Sequence, residues 1–158
     1  MQRKEGNGEA IARNLLEMSK LKVPTICIVI GEGSSGGALA MGVGDKILML
    51  ENAVYSVLSP EGFASILYKD SSKSSEAAEQ MKITAKDLKE LGIIDEIINE
   101  AQGGAQNNEE QTYSNVKKSI IKHLKALKKL NTDTLIEQRY QKFRTIGQKY
   151  VKFEKDDI

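Results

Sequence analysis

Apolar residues follow two distinct rhythms along the chain. In "GEAIARNLLEMSKLK", Ile11, Leu15 and Met18 recur at helical spacing with Leu16 beside them, which predicts a helix. Pro24 then opens Thr25-Ile26-Cys27-Ile28-Val29-Ile30, a continuous β-branched run of the kind that forms a strand buried on both faces. After a glycine-rich stretch, Ala38 to Val43 is small and apolar and predicts a short helix packed tightly in the core. Asp45-Lys46 leads into "ILML", Ile47 to Leu50, a second buried strand, and "AVYSVLS", Ala53 to Ser59, predicts a third.

Capping signals organise the next segment. Ser59 as N-cap, Pro60 at the first helical position and Glu61 near the positive end of the dipole predict a helix running to about Lys69. "SSKSS", Ser71 to Ser75, reads as a loop whose Ser75 caps the helix "EAAEQM". Thr84-Ala85-Lys86-Asp87 resembles a capping box for a short helix that Gly92 ends, and Ile93 to Ile98 predicts a further strand. Helices alternating with strands argue for an α/β fold with a largely parallel sheet.

From Gln102 the character changes. "QGGAQNNEEQ" is polar with little to bury. Beyond it, Val116, Ile120, Leu124 and Leu127 mark one face of a long helix, and Lys117, Lys118, Lys122, Lys125, Lys128 and Lys129 occupy its other faces as a solvated surface. A second helix, about Asp133 to Ile146, sets Ile136, Tyr140 and Phe143 on one packed face and stops at Gly147. The chain therefore divides into residues 1–101, a linker at 102–110, a helical hairpin at 111–150 and a frayed tail at 151–158.

Composition narrows the function. With 158 residues, 40% hydrophobic, the chain has room for one ordinary domain with a sizeable core. A formal net charge of +1 gives no general attraction for nucleic acid or an acidic membrane. The single cysteine, Cys27, excludes an internal disulfide and any multi-cysteine zinc site, and it suits a reducing cytoplasm. The apolar run around Ile26 to Ile30 is too short to span a bilayer, and the polar start "MQRKEGNGE" does not read as a secretory signal.

The candidate chemistry lies in "GEGSSGG", Gly31 to Gly37, which fits three patterns. Gly31, Gly33 and Gly36 match the dinucleotide fingerprint, with Glu51 twenty positions on as the ribose acid. Against it, the helix before the next strand has only about two turns, short for a crossover in that fold. Gly33-Ser34-Ser35-Gly36-Gly37 also matches a nucleophile elbow around Ser35. The only histidine, His123, sits on the lysine-rich helix and reads as a solvated or helix-flank residue, so Ser35 lacks a recognisable base. The third pattern is a glycine-lined helix start whose bare N–H groups meet an oxyanion. Gly42 and Gly44 read as packing glycines. For Gly36 and Gly37, ligand approach and tight packing stand level on spacing alone.

The order "VPTICIVIGEGSSGGALAMGVGDKILMLENAVYSVLSPEGFASILYKD" resembles the carboxyltransferase α subunits of bacterial acetyl-coenzyme A carboxylase. The likeness continues through "AAEQMKITAKDLKELGIIDEIINE", the "GGA" at Gly103 to Ala105 and "RYQKFRTIG" at Arg139 to Gly147. The family loop usually reads G-E-G-G-S-G-G, so Ser34 stands where a glycine is usual. The resemblance implies the crotonase spiral fold, with C-terminal helices behind it. It also implies an N-terminally incomplete chain, since family members are about twice this length. Such a piece is expected to expose sheet edges and apolar faces, and to be inactive and poorly soluble alone.

The implied activity is carboxyl transfer from carboxybiotin, held on a biotin carboxyl carrier protein, to acetyl-CoA, giving malonyl-CoA for fatty-acid synthesis. The resemblance places the oxyanion hole for the biotin ureido oxygen on the backbone of Gly36 and Gly37, with Gly33, Ser34 and Ser35 as the loop wall. Its implied partners are a carboxyltransferase β subunit in an α2β2 heterotetramer, the carrier protein, and a biotin carboxylase that uses ATP. Zinc is expected on the β subunit only. Glu61 tempts as an acid/base of an enoyl-CoA hydratase or isomerase, but its position assigns it to the helix start. A non-catalytic assembly module is the rival of a different class.

Overall fold

The computed structural model describes residues 5–148. Its centre is a three-stranded parallel sheet in the order β1-β3-β5, formed by Ile26–Val29, Lys46–Leu50 and Glu96–Ile98. A second parallel pair joins β2, Glu32–Ser34, to β4, Val54–Ser56, with Gly33 opposite Tyr55. The helices are α1 (Glu5–Ser19), α2 (Ser35–Met41), α3 (Pro60–Leu67), α4 (Ser74–Gln80), α5 (Ala85–Glu90), α6 (Glu109–Leu127) and α7 (Thr132–Thr145). No helix of the described residues is long and apolar enough to cross a membrane.

The central strand behaves as its sequence requires. Leu48 and Met49 are fully enclosed, and Ile47, Leu50, Ala85, Leu88, Ile94 and Ile98 pack around them. At about 25 cal/mol per Å² of apolar surface, this cluster is the main stabilising term. β1 departs from expectation. It stands at the sheet edge, its four residues are half-buried, and Ile30 is 72% exposed. Among the described residues only β3 pairs with β1, which is why its continuous apolar run is not enclosed on both faces.

Other boundaries shift for local reasons. The glycine loop is not wholly irregular: Glu32–Ser34 pair with β4, so α2 opens at Ser35 rather than Ala38. Ser75 lies inside α4, which follows a 3-10 turn at Ser71–Lys73 capped by Asp70 through Ser72 N–H at 3.0 Å. Ser59 caps α3 through Gly62 N–H at 3.2 Å, and Thr84 caps α5 through Asp87 N–H at 3.3 Å. The strand expected from Ile93 is formed only over Glu96–Ile98, with Asp95 N–H already donating to Ile47 O at 2.7 Å. The polar stretch from Gln102 includes a 3-10 turn at Ala105–Asn107, with Gly103 and Gly104 at φ +84° and +113°, before Asn108 caps α6.

α6 and α7 pack back onto the sheet. Val116 and Phe143 contact the central cluster, and Leu127 and Leu135 are buried. The inward face of α7 is only partly the one expected: Phe143 packs inward, but Tyr140 does not. Tyr140 is 55% exposed, and Arg139 one position earlier is 3% exposed. The frayed tail expected at 151–158 lies outside the described residues.

Candidate functional site

β1 delivers the chain to the glycine loop, and the loop turns into α2 through one unusual residue. Ser34 is extended, at φ −140° and ψ 153°, and ends its pairing with Ser56. Ser35 then adopts φ +61°, the left-handed region that costs a residue with a side chain about 1–2 kcal/mol. None of Gly31, Gly33, Gly36 and Gly37 has a positive φ. The turn is therefore made by a serine, and the loop glycines are needed for something other than backbone conformation. Such strain is characteristic of functional loops.

What each glycine excludes tells its role. A Cβ on Gly44 would lie 2.7 Å from Cys27 Sγ and 3.1 Å from Thr25 O, and one on Gly42 would lie 2.7 Å from the Tyr55 hydroxyl. These are packing glycines, as the sequence indicates. Gly33 joins them, because its Cβ would meet Tyr55 Cδ2 at 3.1 Å and Val29 Cγ1 at 3.3 Å. Gly36 would make only ordinary contact, 3.5 Å to Ile11 Cγ2, and Gly37 faces open space. Packing among the described residues gives no reason for glycine at 37 and little at 36.

The same two residues sit in the first turn of α2, where N–H groups have no intrahelical acceptor. Ser34 makes no side-chain cap; its Oγ instead accepts a long 3.5 Å bond from Ser56 Oγ. Among the described residues no backbone or side-chain oxygen accepts from Gly36 or Gly37 N–H. Gly37, Ser34 and Ser35 are exposed, and Gly36 is half-buried against α1. The arrangement presents two adjacent donors on bare backbone, suited to an oxygen that gains negative charge.

The rival chemistries lose their parts. α2 has seven residues, too short for the dinucleotide crossover, and Glu51 accepts from Glu100 N–H at 3.3 Å across the sheet end. The base that a Ser35 nucleophile needs is engaged elsewhere. His123 is no solvated flank residue: its side chain is 12% exposed and Nε2 lies 2.8 Å from Glu96 Oε2. Ser119 Oγ and Lys122 Nζ donate to the same carboxylate, each at 2.6 Å. Burial pushes the Glu96 carboxyl up, but hydrogen bonds from Lys122, Ser119 and His123 and the Lys122 charge outweigh it and hold it at about 2. Burial raises the Cys27 thiol, whose Sγ donates to Met41 O at 2.9 Å, so it is poorly suited to act as a nucleophile. Glu61 stays in the exposed first turn of α3.

Sequence reasoning missed one buried polar centre. Asp45 and Arg139, with side chains 3% and 2% exposed, form a two-point ion pair, and Lys142 of the same helix pairs with Asp95. A signal was present: Leu135, Arg139, Lys142 and Phe143 lie at i, i+4, i+7 and i+8, which puts two cations on an apolar face.

Known proteins resemble this chain in sequence and in fold. The family described as acetyl co-enzyme A carboxylase carboxyltransferase-like matches residues 2–147. The chain belongs to that family. A carboxyl transferase subunit alpha of acetyl-coenzyme A carboxylase from Geobacillus sp. (strain WCH70) is 60% identical over 153 residues, 97% of this chain and 46% of that relative. The Clostridium botulinum (strain Alaska E43 / Type E3) subunit of the same name is 60% identical over 142 residues, 90% of this chain and 52% of that one. The chain thus spans about half the length of the curated relatives it matches.

Solved structures agree on the architecture. A Pseudomonas malonate decarboxylase hetero-tetramer in complex with coenzyme A superposes on 93% of this chain and 61% of its own, with a TM-score of 0.60 at 12% identity. Transcarboxylase 12S, a hexamer with methylmalonyl-coenzyme A and methylmalonic acid bound, matches 60% of this chain and 21% of its own, with a TM-score of 0.53 at 23% identity. At these identities the likeness concerns the fold alone, which is of the crotonase type.

Proposed function

We propose that this chain is the oxyanion-loop portion of a carboxyltransferase α subunit, acting in the transfer of a carboxyl group from carboxybiotin to acetyl-CoA to give malonyl-CoA. Carboxybiotin, carried on a biotin carboxyl carrier protein, supplies an activated carboxyl on a ureido nitrogen whose carbonyl oxygen takes up negative charge as that group departs. The Gly36 and Gly37 N–H groups donate to this oxygen. Each such donor is worth roughly 3 kcal/mol to a transition state when it is fixed beforehand and shielded from water. The missing side chain at Gly37 lets the ureido ring reach the backbone, and Ser34 and Ser35 border its path.

The observation that carries this reading is the pair of amides without acceptors among the described residues, at glycines that neither packing among those residues nor a positive φ requires. Preorganised donors stabilise charge without titrating, which suits a loop with no base at hand. The remaining parts belong to other chains: a β subunit that supplies the thioester side of the site and a zinc ribbon, in an α2β2 assembly, and an ATP-dependent biotin carboxylase that recharges the carrier. The reaction belongs to fatty-acid synthesis in the cytoplasm.

The test is co-expression of the full-length α subunit with its β subunit, assayed for malonyl-CoA formation from carboxybiotin. Gly37→Val should abolish most of the transfer while leaving αβ assembly intact. Loss of assembly instead would identify the loop as a packing and docking element.

A further inference from the structure

Arg139 is only 3% exposed, and its guanidinium donates to Asp45 and to the backbone of α1 and its link to β1. Nε and Nη2 each donate at 2.8 Å to the two oxygens of Asp45. Nη1 donates to Leu21 O at 2.7 Å and Met18 O at 3.3 Å, and Nη2 also donates to Val23 O at 3.0 Å. The acceptors lie in two places: the end of α1 with its link to β1, and the residue that opens the way from α2 into β3. Asp45 in turn accepts from Thr25 N–H at 2.6 Å, which closes the ring.

Both places govern α2. Its first turn rests on α1, where Ile11 fills the space beside Gly36. Its last turn ends at Met41, and Gly42 to Gly44 lead from there into Asp45. One side chain of α7 thus fastens the support beneath the start of α2 and the segment at its finish.

We infer that Arg139 is a positioning residue for the amide pair: resting on the proposed oxyanion role, it holds α2 at the angle that aims Gly36 and Gly37 N–H at the reacting oxygen. Donors displaced by about 1 Å lose on the order of 100-fold in rate, so a small tilt is enough to matter. Lysine cannot replace the fork, because an ammonium has three donors on one nitrogen and no planar two-point match to a carboxylate. The same geometry gives the C-terminal helices a part in catalysis without any contact to substrate.

The experiment uses the full-length α subunit assembled with its β subunit, at a temperature where near-ultraviolet circular dichroism shows every variant folded. Arg139→Lys should lower kcat about tenfold or more, with KM for acetyl-CoA within twofold. Leu135→Ala, buried one turn earlier on α7 and outside the Arg139 hydrogen-bond ring, should lower Tm at least as far yet leave kcat within twofold. If Arg139→Lys fails to assemble, Asp45→Asn, which keeps the shape of the acceptor, takes its place with the same expectation. The inference is overturned if kcat is unchanged, or if Leu135→Ala lowers it equally. Gly37→Val in the same assembly separates the levels: its full activity would remove the oxyanion reading and this inference together, whereas its inactivity beside an active Arg139→Lys would remove this inference alone.

Discussion

Glu96 on β5 and His123 on α6 meet at 2.8 Å, Oε2 to Nε2, and bind the C-terminal helices to the sheet. The folded value of the Glu96 carboxyl, about 2, lies below its ordinary 4.5, so the group stabilises the fold above that ordinary value and loses its contribution as pH falls toward 2. Asp95 acts in the same direction. Burial raises its carboxyl, but hydrogen bonds from Lys142 and Ile47 N–H, with the Lys142 and Lys46 charges, hold it below 3.8. Stability from urea denaturation should therefore drop between pH 5 and pH 2, and Glu96→Gln should flatten that limb. An unchanged acid limb in the variant would show that this carboxylate makes no such contribution.

Two glycines of the same stretch should respond oppositely to alanine. Gly44→Ala forces a methyl against Cys27 Sγ and the Thr25 carbonyl and should cost about 1–3 kcal/mol in urea denaturation. Gly37→Ala points into open space within a helix and should be neutral or stabilising by up to about 1 kcal/mol. Equal losses at both positions would mean that Gly37 is a packing residue after all.

Breaking the buried ion pair from one side should be severe. Arg139→Met leaves Asp45 charged and enclosed, and should cost about 3–5 kcal/mol. Because the pair is shielded, that loss should hardly change with added salt, even where the Debye length falls to about 3 Å at 1 M. A loss that vanishes at high salt would place the pair in contact with solvent.

The central strand sets the scale for the rest. Leu48→Ala should cost about 2–5 kcal/mol, whereas Ile30→Ala, at a residue 72% exposed, should stay within about 0.5 kcal/mol. Comparable midpoints for the two variants would contradict the assignment of the core to β3.

Apolar runs and capping residues made much of this fold legible. "ILML" became the enclosed β3, and Ser59, Thr84 and Gly92 marked helix ends through local hydrogen bonds that depend on few neighbours. What stayed hidden depended on distant partners. Glu32–Ser34 form a strand because β4 lies beside them, and Ile30 stays exposed because β1 is an edge. Nothing near Arg139 or His123 in the sequence announces Asp45 or Glu96, which lie 94 and 27 positions away. At the loop, spacing could not separate ligand approach from packing for Gly36 and Gly37. The space in front of Gly37 removes packing among the described residues as its reason, while Gly36 keeps an ordinary contact with Ile11.

The most direct measurement replaces Gly37 by glycolic acid in the full-length αβ complex, exchanging one N–H for an ester oxygen and leaving every side chain in place. The account predicts that kcat for malonyl-CoA formation falls about 10²- to 10³-fold, with KM for acetyl-CoA and αβ assembly unchanged. A kcat within a few-fold of the unaltered complex would show that this amide takes no part in stabilising the developing charge.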